Sequence, residues 1–158
     1  MRHSLKVGFN FGLTSGVITT LGLIIGLNAG TNSRIVVIGG ILTIAIADAF
    51  SDSLGIHISE ESENKHTTKE IWESTFSTFF CKFFIASSFV VPVLLLRLRV
   101  AIIVSIFWGL FLLSLLSFKI ARDQKAKMWY VILEHLVIVV IVIVVAQYVG
   151  YWISVVFA

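Results

Sequence analysis

Two aspartates, Asp48 and Asp52, lie one helical turn apart inside a long apolar stretch. Ser51 lies between them, and small residues continue the same helix face at three- and four-residue spacing. An acidic side chain deep in a membrane costs roughly 2.5–3.5 kcal/mol on insertion scales, so two cost on the order of 5–7 kcal/mol. Such carboxylates usually face a pathway or a bound cation, because hard cations take oxygen ligands and carboxylates exchange protons.

A structural explanation for the same two acids stays open. Lys82 lies at a similar depth in the next apolar stretch. An ion pair between Lys82 and Asp48 or Asp52 would offset the charge without any transported ligand. The sequence therefore leaves two interpretations, a cation site and a structural ion pair.

A second group of acidic and imidazole side chains follows the aspartates. Its members are His57, Glu60, Glu61, Glu63, His66, Glu70 and Glu73. His57 and Glu61 are four residues apart and Glu70 and Glu73 three, so each pair shares a face if the helices extend that far. Such a cluster at a pore mouth would concentrate metal cations. The alternative is a solvated loop in which Glu70 and Glu73 stabilise a helix N-terminus.

The composition indicates that lipid is the solvent for much of the surface. Of 158 residues, 58% are hydrophobic and only 13% are charged, whereas soluble domains keep about a quarter charged. The formal net charge is +3, but the basic residues flank apolar stretches, so no nucleic-acid partner is expected. The single cysteine, Cys81, cannot form an internal disulfide.

Five apolar stretches cover about residues 7–27, 35–58, 71–96, 100–118 and 128–157. Each is long enough to cross ~30 Å of hydrocarbon as a helix. The chain is therefore predicted to be an all-α membrane protein, a single domain over residues 1–158 with five transmembrane helices. Pro92 predicts a bend near the end of the third stretch.

Basic residues predict the orientation of the bundle. One side carries Arg2, Lys6, Lys65, Lys69, Lys119, Arg122, Lys125 and Lys127, and the other carries Arg34, Arg97 and Arg99. This bias predicts a cytoplasmic N-terminus and a C-terminus outside. No targeting extension is recognisable, so we expect a plasma membrane rather than a vacuolar one.

Glycines recur every four residues in the first stretch, at Gly8, Gly12 and Gly16 and again at Gly22 and Gly26. Glycines at this spacing let two helices approach closely. The partner is either a helix of the same chain or the first helix of a second copy, and the spacing alone favours neither.

Catalytic motifs are missing from the sequence. It has no Gly-rich phosphate loop, no Gly-x-Ser-x-Gly and no His-Glu-x-x-His. Membrane phosphotransferases also use clustered aspartates, but their longer Asp-Gly…Ala-Arg pattern does not occur. We therefore expect no enzyme and no permanently bound cofactor.

The first apolar stretch resembles the Asp-Gly-containing first helix of the vacuolar iron transporter family, which includes nodulin-like membrane proteins. The resemblance lies in the residues Ser15-Gly16-Val17-Ile18-Thr19-Thr20-Leu21-Gly22-Leu23-Ile24-Ile25-Gly26-Leu27. Three further features are similar to the family. They are a Gly/Ala-rich second helix running into Ser59-Glu60-Glu61-Ser62-Glu63, the late proline of the third stretch and the basic loop before the fifth stretch. The resemblance covers nearly the whole chain and is clearest over its first 63 residues. It implies five helices, a cytoplasmic N-terminus, a homodimer with the ion path between the two first helices, and exchange of iron(II) or manganese(II) for protons.

The sequence departs from the family at the metal ligands. The family aspartate of the first helix falls on Ser15, its second-helix methionine near Ser51 and its membrane glutamate near Thr43. The cytoplasmic metal-binding helices of larger members shrink to about residues 59–69.

We expect a homodimeric, proton-coupled transporter of iron(II) or manganese(II). Asp48 and Asp52 would bind the ion, with Ser15 and Ser51 beside them and the acidic group gathering metal. The alternative is a non-transporting membrane assembly protein with a structural Asp–Lys pair.

Overall fold

The computed structural model describes residues 3–157, and helices account for nearly all of them. The helices are α1 (His3–Thr31), α2 (Arg34–Ser62), α3 (Thr68–Ser88), α4 (Val90–Leu95), α5 (Leu98–Gln124) and α6 (Met128–Phe157). Helices α3 and α4 form one span, so five helical stretches are long and apolar enough to cross a membrane. The predicted all-α fold with five transmembrane helices is confirmed. The orientation of the termini and the single domain stay predictions.

The helices extend beyond the apolar stretches by several residues, because polar residues stabilise their ends. Thr67 and Glu70 form a reciprocal capping box at the start of α3, in which the Thr67 hydroxyl accepts from the Glu70 N–H and the Glu70 carboxylate accepts from the Thr67 N–H. Lys125 ends α5 in the left-handed conformation, with φ of 52°. The connections are therefore short, and sequence neighbours pack in antiparallel pairs.

Pro92 interrupts the third span, as the sequence predicts. The break lies at Phe89, three residues before the proline, rather than at the proline itself. Proline lacks the N–H that would bond to the carbonyl of Ser88, and its ring would clash with that carbonyl. The Phe89 N–H instead bonds to the Ala86 carbonyl at 3.1 Å, which closes α3 in a tighter turn.

Helix α1 lies at the centre of the bundle and packs against α2, α3, α5 and α6. Its residues Val17, Leu21 and Ile24 are fully buried. A Cβ atom added to Gly12 would lie 2.7 Å from the Thr78 carbonyl oxygen of α3. The glycine spacing leaves two possible partners for α1. In the structure, the partner is a helix of the same chain.

The two glycine rows of α1 contact two different helices. Gly8, Gly12 and Gly16 face α3, whereas Gly22, Gly26 and Gly30 face α6. At the α6 contact, a Cβ atom on Gly30 would lie 3.4 Å from the carbonyl oxygen of Gly150. Small residues in both helices therefore bring the two backbones together, as is typical of membrane proteins.

Large apolar side chains cover the outside of the bundle. Phe76, Phe80 and Phe84 stack one turn apart along the exposed face of α3. Most of α6 is likewise exposed and apolar. A soluble protein of this size would not expose so large an apolar surface, so these faces contact lipid.

Polar contacts hold the two ends of the bundle. At the end that carries the acidic group, Lys6 of α1 forms a salt bridge with Asp123 of α5, and Lys119 lies 5.6 Å above the Phe9 ring. At the other end, Arg34 donates to the Leu96 carbonyl at 2.6 Å and connects the 32–33 and 96–97 turns. Arg2, which contributes to the predicted orientation, lies outside the described residues.

Replacing Gly12 with alanine should destabilise the bundle. The added methyl would meet the Thr78 carbonyl oxygen at 2.7 Å and the Cys81 Cβ atom at 3.1 Å, so α1 and α3 must separate. We expect a loss of about 1–3 kcal/mol, typical of overpacking, seen as a lower thermal unfolding midpoint of the purified protein in detergent.

The matched control is Gly26→Ala on the same helix. A Cβ atom there would have the Ala146 carbonyl oxygen as its nearest neighbour at 3.5 Å, an ordinary van der Waals distance, so alanine should leave stability unchanged or raise it by up to about 1 kcal/mol through helix propensity. Equal midpoints for the two variants would contradict the described α1–α3 contact.

Candidate functional site

The polar centre of the bundle is an ion cluster formed by α1, α2 and α3. The ammonium of Lys82 lies 2.5 Å from Asp48 Oδ2 and forms a second salt bridge with Asp52 Oδ2. It also donates to the Ser15 hydroxyl at 2.8 Å. That hydroxyl in turn donates to Asp52 Oδ2 at 2.5 Å, which closes a ring of contacts between three helices.

Helix register places Asp48 and Lys82 near the middle of their candidate membrane-spanning helices. Asp48 is the midpoint of α2, and Lys82 lies next to the midpoint of the span formed by α3 and α4. Asp52 is one turn from Asp48 on the same face of α2. Gly16 lets α3 approach α1, since an added Cβ atom would lie 3.4 Å from Lys82 Cα. The lysine therefore enters the cluster within the small-residue contact between α1 and α3.

The cluster carries an excess of negative charge. Two carboxylates and one ammonium leave a formal charge of −1 when all three groups are ionised. The Lys82 side chain is 0% exposed, whereas those of Asp48 and Asp52 are 28% and 20% exposed. Buried charges need partners because desolvation is costly. Lys82 has three partners, namely Asp48, Asp52 and Ser15.

Asp48 connects the cluster to a groove between α1 and α2. This groove has a volume of about 690 Å³, and its polar lining comes from Thr19, Thr43, Asp48 and Ser51. Asp48 contributes the only carboxylate among its lining residues. A cation in the groove would thus meet Asp48 first and Asp52 behind it. Ser51 is exposed beside the pair.

The second acidic group does not form one site, although α2 and α3 extend far enough to include it. Glu60 is buried and accepts a hydrogen bond from Ser74 at 2.5 Å, and Glu73 accepts one from Ser4 at 2.9 Å. Glu70 belongs to the capping box, and Glu61 and Glu63 are exposed. Over residues 3–157, no three His, Cys, Asp or Glu side chains are grouped closely enough to hold a metal ion.

His57 also has its own partners. Its Nδ1 atom lies 3.0 Å from the Thr75 hydroxyl, and its ring packs edge-on against Trp72, 4.8 Å between centroids. His57 thus contacts α3, whereas Glu61, one turn further along α2, is exposed. At the same end, His135 of α6 lies 2.7 Å from the Ser117 hydroxyl, whereas Glu134 is exposed.

Sequence reasoning identified Asp48, Asp52 and Lys82, but it missed how the cluster is connected. It considered one Asp–Lys pair, whereas Lys82 contacts both carboxylates and Ser15. A signal for this was present. Ser74, Thr78 and Lys82 recur every four residues on α3 and are all buried, so they form a polar stripe facing α1 and α2.

The sequence model of the VIT family matches residues 9–73, from α1 to the first turns of α3. This match supports membership of the vacuolar iron transporter family. The matched range contains Ser15, Asp48 and Asp52 and ends before Lys82. No curated protein and no solved structure matches the chain. Members of that family transport divalent metal ions in general and are transporters rather than enzymes.

The two aspartates should differ in what they contribute to stability. Asp52 contacts both Lys82 and Ser15, whereas Asp48 contacts Lys82 and opens to the groove. We expect Asp52→Asn to lower the free energy of unfolding more than Asp48→Asn, by about 1 kcal/mol or more, because Asp52 accepts charge-assisted hydrogen bonds from both Lys82 and Ser15 and a neutral asparagine accepts them more weakly.

Thermal unfolding midpoints in detergent would measure this difference. Asp123→Asn is the control, since Asp123 is an exposed aspartate whose pair with Lys6 contributes little. If Asp48→Asn destabilised the protein as much as Asp52→Asn does, the hydrogen bond from Ser15 would contribute nothing to stability.

Proposed function

We propose that the protein is a homodimeric transporter of a divalent metal ion, iron(II) or manganese(II), driven by exchange for protons. Asp48 and Asp52 bind the metal ion midway across the membrane, with Ser51 and Ser15 as neighbouring oxygen donors. The same carboxylates carry protons on the opposite half of the cycle. The membrane that contains the protein is proposed to be the plasma membrane.

The observation that carries this proposal is the position of Asp48. A membrane protein that needed only a structural ion pair would bury both acids away from any opening. Asp48 instead lines a groove whose other polar lining residues are Thr19, Thr43 and Ser51. Divalent metal ions prefer such oxygen ligands, and the VIT family match points to the same cargo.

The remaining acids act in the proposal through their charge. Glu60, Glu61, Glu63, Glu70 and Glu73 all lie at one end of the α2–α3 pair, together with His57. Residues 60–73 contain five carboxylates and two lysines, a formal charge of −3, so this stretch attracts cations locally although its acids form no preassembled site in the described residues. Entry of metal from this end is part of the proposal.

The groove suggests where a second copy binds. Helix α2 exposes small residues every four positions, at Gly39, Thr43, Ala47, Ser51 and Gly55. Small residues allow close helix packing in lipid, where apolar side chains alone give no preference for a partner. Because the α1 glycines are used within the chain, we propose that α2, beside the groove, forms the contact between the subunits.

A second candidate function rests on the ion cluster itself. The contacts of Lys82 with Asp48 and Asp52 are those of a structural pair that holds α2 to α3. The chain would then be a non-transporting membrane assembly protein. Two results together would favour this function. The protein would carry no divalent ion, and its stability would be lost in Lys82→Asp and recovered in Asp52→Lys/Lys82→Asp.

Transport in liposomes tests the main proposal. Purified protein is reconstituted with manganese(II) or iron(II) outside and a pH reporter inside. We expect metal entry with opposing proton movement, lost at least tenfold in Asp48→Asn and in Asp48→Asn/Asp52→Asn, because the carboxylate ligands are gone. Asp48→Asn is the more informative variant, since the Asp52–Lys82 pair remains to support the fold.

The matched control for transport is Asp123→Asn, which removes an exposed carboxylate distant in sequence from the cluster and should leave uptake unchanged. Size-exclusion elution must show the same folded species for every variant. Unchanged uptake in both single aspartate variants would remove Asp48 and Asp52 from the pathway.

Cysteine cross-linking tests the proposed contact between subunits. In a Cys81→Ala background, Ala47→Cys should form disulfide-linked dimers in lipid vesicles on mild oxidation, since its α2 face would meet the same face of a second copy. Phe111→Cys, on the exposed middle of α5, is the control and should stay monomeric. Cross-linking of equal extent at both positions, or only at position 111, would place the contact elsewhere.

A further inference from the structure

Lys82 presents a cation to the two carboxylates that are proposed to bind metal. Its ammonium lies between Asp48 Oδ2 and Asp52 Oδ2, where a bound ion would also need to contact both side chains. The lysine side chain is fully buried, so it has no water to return to while α3 stays packed. In the arrangement described here, the site is therefore filled by a group of the protein itself.

We propose that Lys82 is a tethered competitor that determines which cations the site accepts. A metal ion binds to Asp48 and Asp52 by displacing the Lys82 ammonium from them. The inference rests on the proposed function, because it takes these two carboxylates as the metal ligands.

The geometry allows such a displacement. Lysine is a compact charge on a flexible four-carbon stem, so its ammonium can move while its backbone stays in the α1–α3 contact. The Ser15 hydroxyl, 2.8 Å from the ammonium, remains as a partner when the carboxylates turn to a metal ion. Asp48 is also the more exposed carboxylate, and its contact with Lys82 is an ion pair without hydrogen-bond alignment. Asp48 is therefore the first contact that an entering ion would replace.

Charge explains why the competitor would select divalent ions. At equal distance, a divalent ion gains twice the Coulomb energy that an ammonium gains from the same carboxylates. A monovalent ion of similar size gains no more Coulomb energy than the lysine already has, so it has no electrostatic advantage over the ammonium. The lysine therefore excludes potassium and sodium, although two bare carboxylates in a low-dielectric site would attract them.

Metal binding to the purified full-length chain tests the inference. Equilibrium dialysis in detergent micelles would give the Kd for manganese(II), with potassium as the monovalent competitor. Lys82→Met removes the charge but keeps the length of the side chain, and we expect it to bind manganese(II) roughly tenfold or more tightly. Potassium should then compete measurably. Lys82→Arg keeps the positive charge and should gain neither property.

A second pair of variants guards against a failure of Lys82→Met to fold. Asp48→Asn/Lys82→Met leaves a single carboxylate, Asp52, and so has the same formal charge of −1 as the native cluster. It is compared with Asp48→Asn, in which the lysine remains. The variant without the lysine should bind manganese(II) more tightly by a similar factor.

The outcomes separate this inference from the proposed function. If the native protein binds manganese(II), and loss of Lys82 leaves that affinity unchanged or weakens it, the inference is overturned and the proposed transporter function stands. Binding only when Lys82 is removed would support the inference and overturn transport by the native chain. Manganese(II) binding by none of the folded proteins would overturn both.

Discussion

The bundle depends on how one buried lysine is neutralised. Lys82 cannot leave α3, so its ammonium needs acceptors from the two helices that enclose it. Asp48 and Asp52 supply negative charge from α2, and Ser15 supplies an oxygen from α1. The relative depth of α1, α2 and α3 is consequently fixed at this point, because a shift of one turn would separate the charges. The cost of leaving a buried charge unpaired is several kcal/mol.

The α1 glycines are the second half of the same constraint. An ammonium on a four-carbon stem reaches Ser15 only if the backbones of α1 and α3 come close together. Gly12 and Gly16 permit this approach, since a side chain at either position would press on α3. Packing by small residues and pairing of charges therefore support each other at one contact. The candidate site therefore depends on the close contact between α1 and α3.

The sequence predicted the fold well because lipid imposes a simple rule. Long apolar stretches in a membrane must be helices, so five stretches gave five spans. The ends were less predictable, since α2 and α3 continue into polar residues that the Thr67–Glu70 capping box stabilises. The glycine spacing identified a contact face, but spacing carries no information on which helix meets that face.

The candidate site was predictable in its residue types and not in its connections. Counting residues placed Asp52 and Lys82 at a common depth, which distance in the structure bears out. The acidic group, by contrast, was predicted to form one cluster because its members are close together in the sequence. In three dimensions the carboxylates of Glu60 and Glu73 accept hydrogen bonds from Ser74 and Ser4, because buried and half-buried carboxylates need donors. Such partners come from other helices and leave no local pattern.

The order of charges along the chain has a consequence for biosynthesis. Asp52 precedes Lys82 by 30 residues, so the middle of α2 emerges from the ribosome with two acids and without the lysine that neutralises them. Helix α1 offers them only the hydroxyl of Ser15. Helix α2 would thus enter lipid most readily as a hairpin with α3, joined by the five residues 63–67 that separate the two helices. Loss of Lys82 would then act first at the translocon, where α2 loses its partner, before any cation reaches the finished protein.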